Sequence, residues 1–135
     1  MIRLTLYADG SSRGNPGSAG AGVVIQDGDG KIIREISRYL GRATNNEAEY
    51  HAFIIALENA RELGAEAVQV RVDSELLAKQ MNGYYQVKSL KLRPLYHKAK
   101  QLLGFFREVE IQHVRRGLNE RADMLANQAS QKGLE

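Results

Sequence analysis

The hydrophobic pattern changes period once along this chain, near Thr44. Before that point come three short strand-like runs, the first and third of them alternating apolar and polar residues. After it, apolar residues at helical spacing take turns with β-branched runs. Alternation of period two marks half-buried strands, and recurrence near 3.6 marks amphipathic helices. The first three runs are Ile2 to Asp9, Ala21 to Gln26 and Lys31 to Leu40. Gly10 to Gly17, with Pro16, reads as a turn-rich loop, and Asp27-Gly-Asp-Gly30 is a hairpin signal. Short connections of this kind predict an antiparallel meander.

Thr44-Asn-Asn-Glu47 then opens a helix, with Thr44 or Asn45 as cap and Glu47 in capping-box range. Ala48, Ala52, Ile55, Ala56, Leu57, Ala60 and Leu63 carry it to Gly64. Ala67 to Val72 reads as a strand and Ser74 to Asn82 as a short helix. Tyr84 to Leu90 is irregular. Lys91 to Leu103 is helical, with Pro94 tolerated in its first turn. Glu108 to Val114 is a fifth strand, and Asn119 caps a last helix running to about Gln131. Strands that alternate with helices pair in parallel through right-handed crossovers. The order therefore predicts an α/β fold: a mixed five-stranded sheet, three antiparallel then parallel strands, with helices on both faces. One domain is expected over 1–132, with a short tail over 133–135.

This order bears on four acids. Asp9 ends the first strand and Asp73 ends the fourth. Glu49 and Asp123 fall in the first turns of two helices. Ligands of open α/β sheets bind beyond the carboxyl ends of parallel strands, so the four carboxylates are expected in one crevice. Each has a plainer reading: Asp9 could open a turn, Asp73 could cap a helix, and Glu49 and Asp123 could offset helix dipoles. Four such coincidences at one sheet edge favour the crevice. Asp27 and Asp29 belong to a hairpin on the far side. Clustered carboxylates raise one another's pKa unless a cation intervenes. Hard Mg²⁺ prefers carboxylate oxygen. Two ions about 3.5–4 Å apart can hold the attacking and leaving oxygens of a phosphodiester. The expected cofactor is thus Mg²⁺ or Mn²⁺, two ions per site. No Asp-x-Asp-x-Asp-Gly loop suggests structural Ca²⁺.

The chain has 135 residues and no cysteine, which removes disulfides and thiolate zinc sites. Its first residues read as a strand rather than a signal peptide, and no apolar run approaches the roughly 20 residues of a membrane span. A cytoplasmic monomer away from membranes is expected. The net charge is +3. Lys88, Lys91, Arg93, His97, Lys98 and Lys100 form an acid-free stretch, and Arg115, Arg116 and Arg121 a second group. Either could be an ordinary solvated face. Beside a metal site they suggest phosphate contacts.

The segments Asp9-Gly-Ser-Ser-Arg-Gly-Asn-Pro-Gly17, Thr44-Asn-Asn-Glu-Ala-Glu49, Val72-Asp-Ser-Glu75 and Asn119-Glu-Arg-Ala-Asp-Met-Leu-Ala126 resemble type 1 ribonuclease H, in family order and across nearly the whole chain. The resemblance implies the ribonuclease H-like fold. It also implies hydrolysis of the RNA strand of an RNA–DNA hybrid to 5′-phosphate and 3′-hydroxyl ends. Asp9, Glu49, Asp73 and Asp123 become the metal-binding catalytic set. Gly10, Ser11, Asn15, Thr44, Asn45, Asn46, Arg115 and Arg116 become substrate-binding residues. Asn can donate to and accept from a ribose 2′-hydroxyl, the group that separates RNA from DNA. Duplex RNA is a further candidate substrate. The alternatives are a non-catalytic nucleic-acid-binding module on the same fold, or a related nuclease acting on duplex RNA or DNA.

Three departures from the family pattern stand out. The loop before Asp123 is short, and His113 falls within the predicted strand, which suggests a packed or partly exposed residue rather than the catalytic loop His of many members. Arg115 or Arg116 would take that loop position, and Arg cannot serve as a general base. Gly83 to Leu90 is too short for the basic protrusion of larger bacterial enzymes, leaving Lys88, Lys91 and Arg93 to substitute for it, with Tyr84 and Tyr85 either stacking on substrate or filling the core. Glu75 stands where some members place a substrate-contacting Gln. The compact pattern is similar to that of the archaeal branch.

Overall fold

The computed structural model describes residues 1–134 of the chain. Three strands come first: β1 (Arg3–Gly14), β2 (Gly17–Gln26) and β3 (Ile32–Ala43). Helix α1 (Asn45–Glu62), strand β4 (Ala67–Val72), helices α2 (Glu75–Met81) and α3 (Arg93–Leu103), strand β5 (Glu108–His113) and helix α4 (Glu120–Ser130) follow. The sheet order is β3-β2-β1-β4-β5. β1 is antiparallel to β2 and parallel to β4, and β4 is parallel to β5. The expected mixed five-stranded sheet is what forms.

The β1–β2 connection differs from expectation. Residues 10–17 are not a loop: the ladder continues through Ser11↔Gly20 and Arg13↔Ser18 to Gly14↔Gly17. Only Asn15 and Pro16 are left for the turn. Glycines and serines have low strand propensity alone, but cross-strand pairing and anchors to other elements override it. Ser12 Oγ donates to the Ala43 carbonyl at 2.7 Å, and Ser18 Oγ to that of Ser130 at 2.6 Å. At the other end of the chain, Gln131–Leu134 makes a 3-10 turn where a tail was expected from 133; Glu135 lies outside the described residues.

Even-numbered residues of β1 and β4 face the main core. Leu4, Leu6 and Ala8 join Val68, Val70 and Val72 beneath Phe53 and Leu57 of α1, Leu77 of α2 and Leu102 of α3. Fully burying side chains of this size contributes about 1.5–3 kcal/mol each. The opposite face carries α4, whose Ala122 and Leu125 pack on Val24 with Tyr7 beside them. Helices thus cover both faces, as expected. Beyond α4, the sheet surface of β4 and β5 is polar: Arg71 Nε donates to Gln112 Oε1 at 3.2 Å, and Arg3 pairs with Glu108 at 2.7 Å.

Helix starts agree with their sequence signals, with one exception. Thr44 caps α1, its hydroxyl accepting from Glu47 N at 3.1 Å while Glu47 accepts from Thr44 N at 2.9 Å. Ser74 caps α2 through Leu77 N. That leaves Asp73, the residue before it, free of capping duty. Asn119 occupies the cap position of α4, but its side chain makes no capping bond. It points inward instead, and Nδ2 donates to the Ala8 carbonyl at 3.0 Å.

Candidate active site

Asp9 follows the last paired residue of the parallel ladder, Ala8↔Val72, and Asp73 directly follows β4. The two carboxylates therefore emerge side by side at one edge. Asp9 does not end its strand, because β1 runs on past it beside β2. Glu49 reaches the edge from the second turn of α1, one turn further in than expected. Asp123 comes from the first turn of α4.

Close backbone packing sets both helices in place. A Cβ on Gly10 would collide with the backbone of Ala48 and Glu49. Only glycine lets α1 settle onto β1 at the residue beside Asp9. A Cβ on Gly22, the cross-strand partner of Asp9, would collide with the backbone of Ala122 and Ala126 in α4.

One ligand atom each from Asp9, Glu49 and Asp73 lies within 4.8 Å of the others. Asp9 is 1% exposed and Glu49 7%. Both Asp9 carboxylate oxygens and Asp73 Oδ2 are buried without a hydrogen-bond partner. Burial, then the Glu49 charge, contact with Asp123 and the Asp73 charge push the Asp9 carboxyl up to about 11. Two carboxylates can bond one another only by sharing a proton, so the contact with Asp123 does not relieve the orphaned oxygens of an ionised Asp9. Burial and the Asp73 charge push Glu49 up to about 8, opposed by a proton held on Asp9, the Gly10 backbone N–H and the Arg116 charge. Half-buried Asp123 is the fourth acid but stands outside the tight trio.

This arrangement fits a hard divalent cation. Its donors are all carboxylate oxygens; those of Asp9 and Oδ2 of Asp73 lack other partners, and the three groups crowd one another. A cation there offsets the charge repulsion that otherwise forces protons onto Asp9 and Glu49.

The residues expected to meet substrate differ in exposure. Asn15, Asn45 and Asn46 are exposed, and Thr44 is half-buried. Asn15 Oδ1 accepts from the Asn45 backbone N–H at 3.0 Å, so the β1–β2 turn and the start of α1 form one surface. Gly10 is buried under α1. Ser11 is half-buried, with its hydroxyl donating to Asn127 Oδ1 at 2.8 Å. Arg115 and Arg116 are exposed on the β5–α4 connection, which turns through a 3-10 segment at Arg116–Leu118. Arg116 is 78% exposed, with Nε 4.0 Å from Asp73 Oδ2.

A profile of the family described as reverse transcriptase-like matches residues 7–129. A ribonuclease HI of Halobacterium salinarum is 47% identical over 127 residues, which is 94% of this chain. The crystal structure of a halophilic archaeal RNase H1 superposes with a TM-score of 0.93 at 46% identity, covering 96% of this chain and 98% of that one. The chain belongs to the type 1 ribonuclease H family. The LC11 RNase H1, whose structure holds an RNA/DNA hybrid, is also similar to it: TM-score 0.92, 42% identity, 98% of this chain and 99% of that one. The chain spans 64% of the halobacterial ribonuclease HI, and 35% of a bifunctional Mycobacterium tuberculosis protein 43% identical to it.

The family's variable positions are now placed. His113 is exposed at the end of β5, paired in register with Val72. Of the packed and exposed alternatives it takes the exposed one, because β5 is an edge strand and its last residue projects past the core. Glu75 pairs with Lys79 at 2.7 Å along α2, so its charge is locally offset. Tyr84 and Tyr85 are exposed rather than in the core, with Lys79 Nζ 4.9 Å from the Tyr85 ring centroid. Lys88, Lys91 and Arg93 are all exposed. The residue that sequence reasoning misjudged is Asn119. An Asn before a helix reads as a surface cap, and nothing local signals that it is buried.

Proposed function

We propose that this chain is a metal-dependent endonuclease that hydrolyses the RNA strand of RNA–DNA hybrids, leaving 5′-phosphate and 3′-hydroxyl ends. One observation carries the reading: the Asp9, Glu49 and Asp73 carboxylates meet within 4.8 Å, with both Asp9 oxygens and Asp73 Oδ2 buried and unpartnered, and Asn45 and Asn46 are exposed at the start of the helix that carries Glu49. A ribonuclease HI relative and an RNase H1 crystallised with an RNA/DNA hybrid support it.

Asp9, Glu49, Asp73 and Asp123 would hold Mg²⁺ or Mn²⁺. The bound cations supply charge stabilisation at the phosphodiester and a more acidic water. The chain's own residues do the rest. Gly10, which admits no Cβ against Ala48 and Glu49, lets α1 bring Glu49 to the cluster. Asn45 and Asn46 present amides that can pair with a ribose 2′-hydroxyl. Arg115 and Arg116 offer phosphate contacts from a connection that α4 and β5 anchor at both ends. Asn15 braces the Asn45 backbone so that both recognition segments approach the hybrid together.

The test uses an end-labelled RNA–DNA hybrid with Mg²⁺, Mn²⁺ or EDTA, beside duplex RNA and duplex DNA, with Asp9→Asn as control. Metal-dependent cutting of the RNA strand, absent in the variant, is the expected result. Binding without cutting in either metal would make the chain a non-catalytic module.

A further inference from the structure

Asn119 is 1% exposed and sits between two of the four acids in a way its sequence position does not suggest. Its Nδ2 donates to the carbonyl of Ala8, the residue before Asp9, at 3.0 Å. Its own carbonyl accepts from the backbone N–H of Asp123 at 3.0 Å. One residue therefore joins the strand backbone beside Asp9 to the helix backbone at Asp123. The amide orientation follows from chemistry, since a backbone carbonyl can only accept. The geometry points to Asn119 as a positioning residue that fixes Asp123 against Asp9 for metal binding.

Two features argue that the bond serves the site rather than the helix. Asn is among the strongest helix caps, yet this side chain forgoes the cap and leaves the N-terminus of α4 without one. Its Oδ1 is also buried without a partner, an arrangement that carries a stability penalty. Both penalties are incurred to hold a single bond to Ala8.

The two ends of the bridge are not equally fixed. Asp9 lies in the β1–β2 ladder, opposite Gly22, and follows the last residue paired with β4. Asp123 is reached from β5 through residues 115–118, all exposed, and it lies in the first turn of a helix without a side-chain cap. Loss of the bridge therefore moves Asp123 and leaves Asp9 in place. Asn119 acts through Asp123.

This inference rests on the metal-dependent reading above, and direct metal binding separates the two. Mn²⁺ is titrated calorimetrically, well below the melting temperature, into wild type, Asn119→Ala, Asp123→Asn, the double variant, and Leu125→Ala. The last loosens α4 packing without touching the bridge. Asn119→Ala should weaken Mn²⁺ affinity by about tenfold, the lower end of what losing a residue that orients a metal ligand usually costs. In the Asp123→Asn background the same change should have an effect of less than about threefold, because the ligand it positions is gone. Leu125→Ala, destabilised to a similar melting temperature, should keep wild-type affinity. Unchanged affinity in Asn119→Ala, an undiminished effect in the Asp123→Asn background, or an equal loss in Leu125→Ala would each overturn the positioning role. Failure of the wild type itself to bind Mn²⁺ would overturn the metal-dependent reading as well, and is recognisable as such before any variant is compared.

Discussion

Asp9→Asn should stabilise the metal-free protein at alkaline pH while abolishing hydrolysis. The Asp9 carboxyl ionises near 3.8 in the unfolded chain and is pushed up to about 11 in the fold. Between those values the native state holds a proton that the unfolded chain has released. Stability therefore falls as pH rises, by up to about 1.4 kcal/mol per unit. From pH 4 to pH 8 the upper bound is about 5 kcal/mol; water penetration at a sheet edge reduces this to roughly 1–3 kcal/mol. Asn has nearly the same shape and does not titrate. For a chain of this length 1 kcal/mol moves the melting temperature by about 3–5 °C. In EDTA at pH 8 the variant should melt about 3–15 °C above wild type, and at pH 4 the two should coincide. Glu49, pushed up to about 8, leaves a smaller residual slope in the variant. Saturating Mn²⁺ should raise the wild-type melting point far more than the variant's. The assay is calorimetry or near-ultraviolet circular dichroism across pH 4–9. Parallel melting curves for the two proteins would refute the charge-crowding argument, whatever happens to activity.

Arg116→Ala should weaken hybrid binding and lower the slope of log affinity against log salt by about one, with turnover at saturating substrate little changed; an unchanged slope would remove Arg116 from the phosphate contacts. Asn45→Ala or Asn46→Ala should reduce the preference for RNA over DNA strands by about 1 kcal/mol or more, read from competition between hybrid and duplex DNA; an intact preference would place recognition elsewhere. His113→Ala should shift stability by less than about 0.5 kcal/mol, as an exposed strand-end residue does; a melting temperature several degrees lower would mean that the imidazole packs after all.

Much of this architecture is legible in the amino-acid order because local and global preferences agree. The alternating runs of β1 and β3, the apolar run of β2, the Thr44 and Glu47 capping box and the Pro94 position all mean locally what they become in the fold. The four acids are legible because turn and helix-start positions of an α/β order converge on one edge. Legibility fails where a distant partner decides. Residues 10–14 read as loop because Gly and Ser are weak strand formers, and the β2 ladder that recruits them is a tertiary choice. Asn119 reads as a cap because its carbonyl partner at Ala8 is 111 positions away. The sequence leaves His113 packed or partly exposed because a strand assignment does not say that the strand lies at an edge.

Gly10 and Gly22 have a consequence for how such a protein can diversify. Each brings a helix into backbone contact with the strand that carries or flanks Asp9. The spacing between the acids is therefore gauged by main chain against main chain, not by side chains that could repack around a substitution. A single methyl is the smallest possible change at either position, and it is already too large. Descendants of this chain can alter the β1–β2 turn, the α2–α3 connection or the segment before α4, and so change what is gripped. The gauge itself admits no gradual variation, which confines innovation to the periphery and leaves the chemistry inherited as a unit.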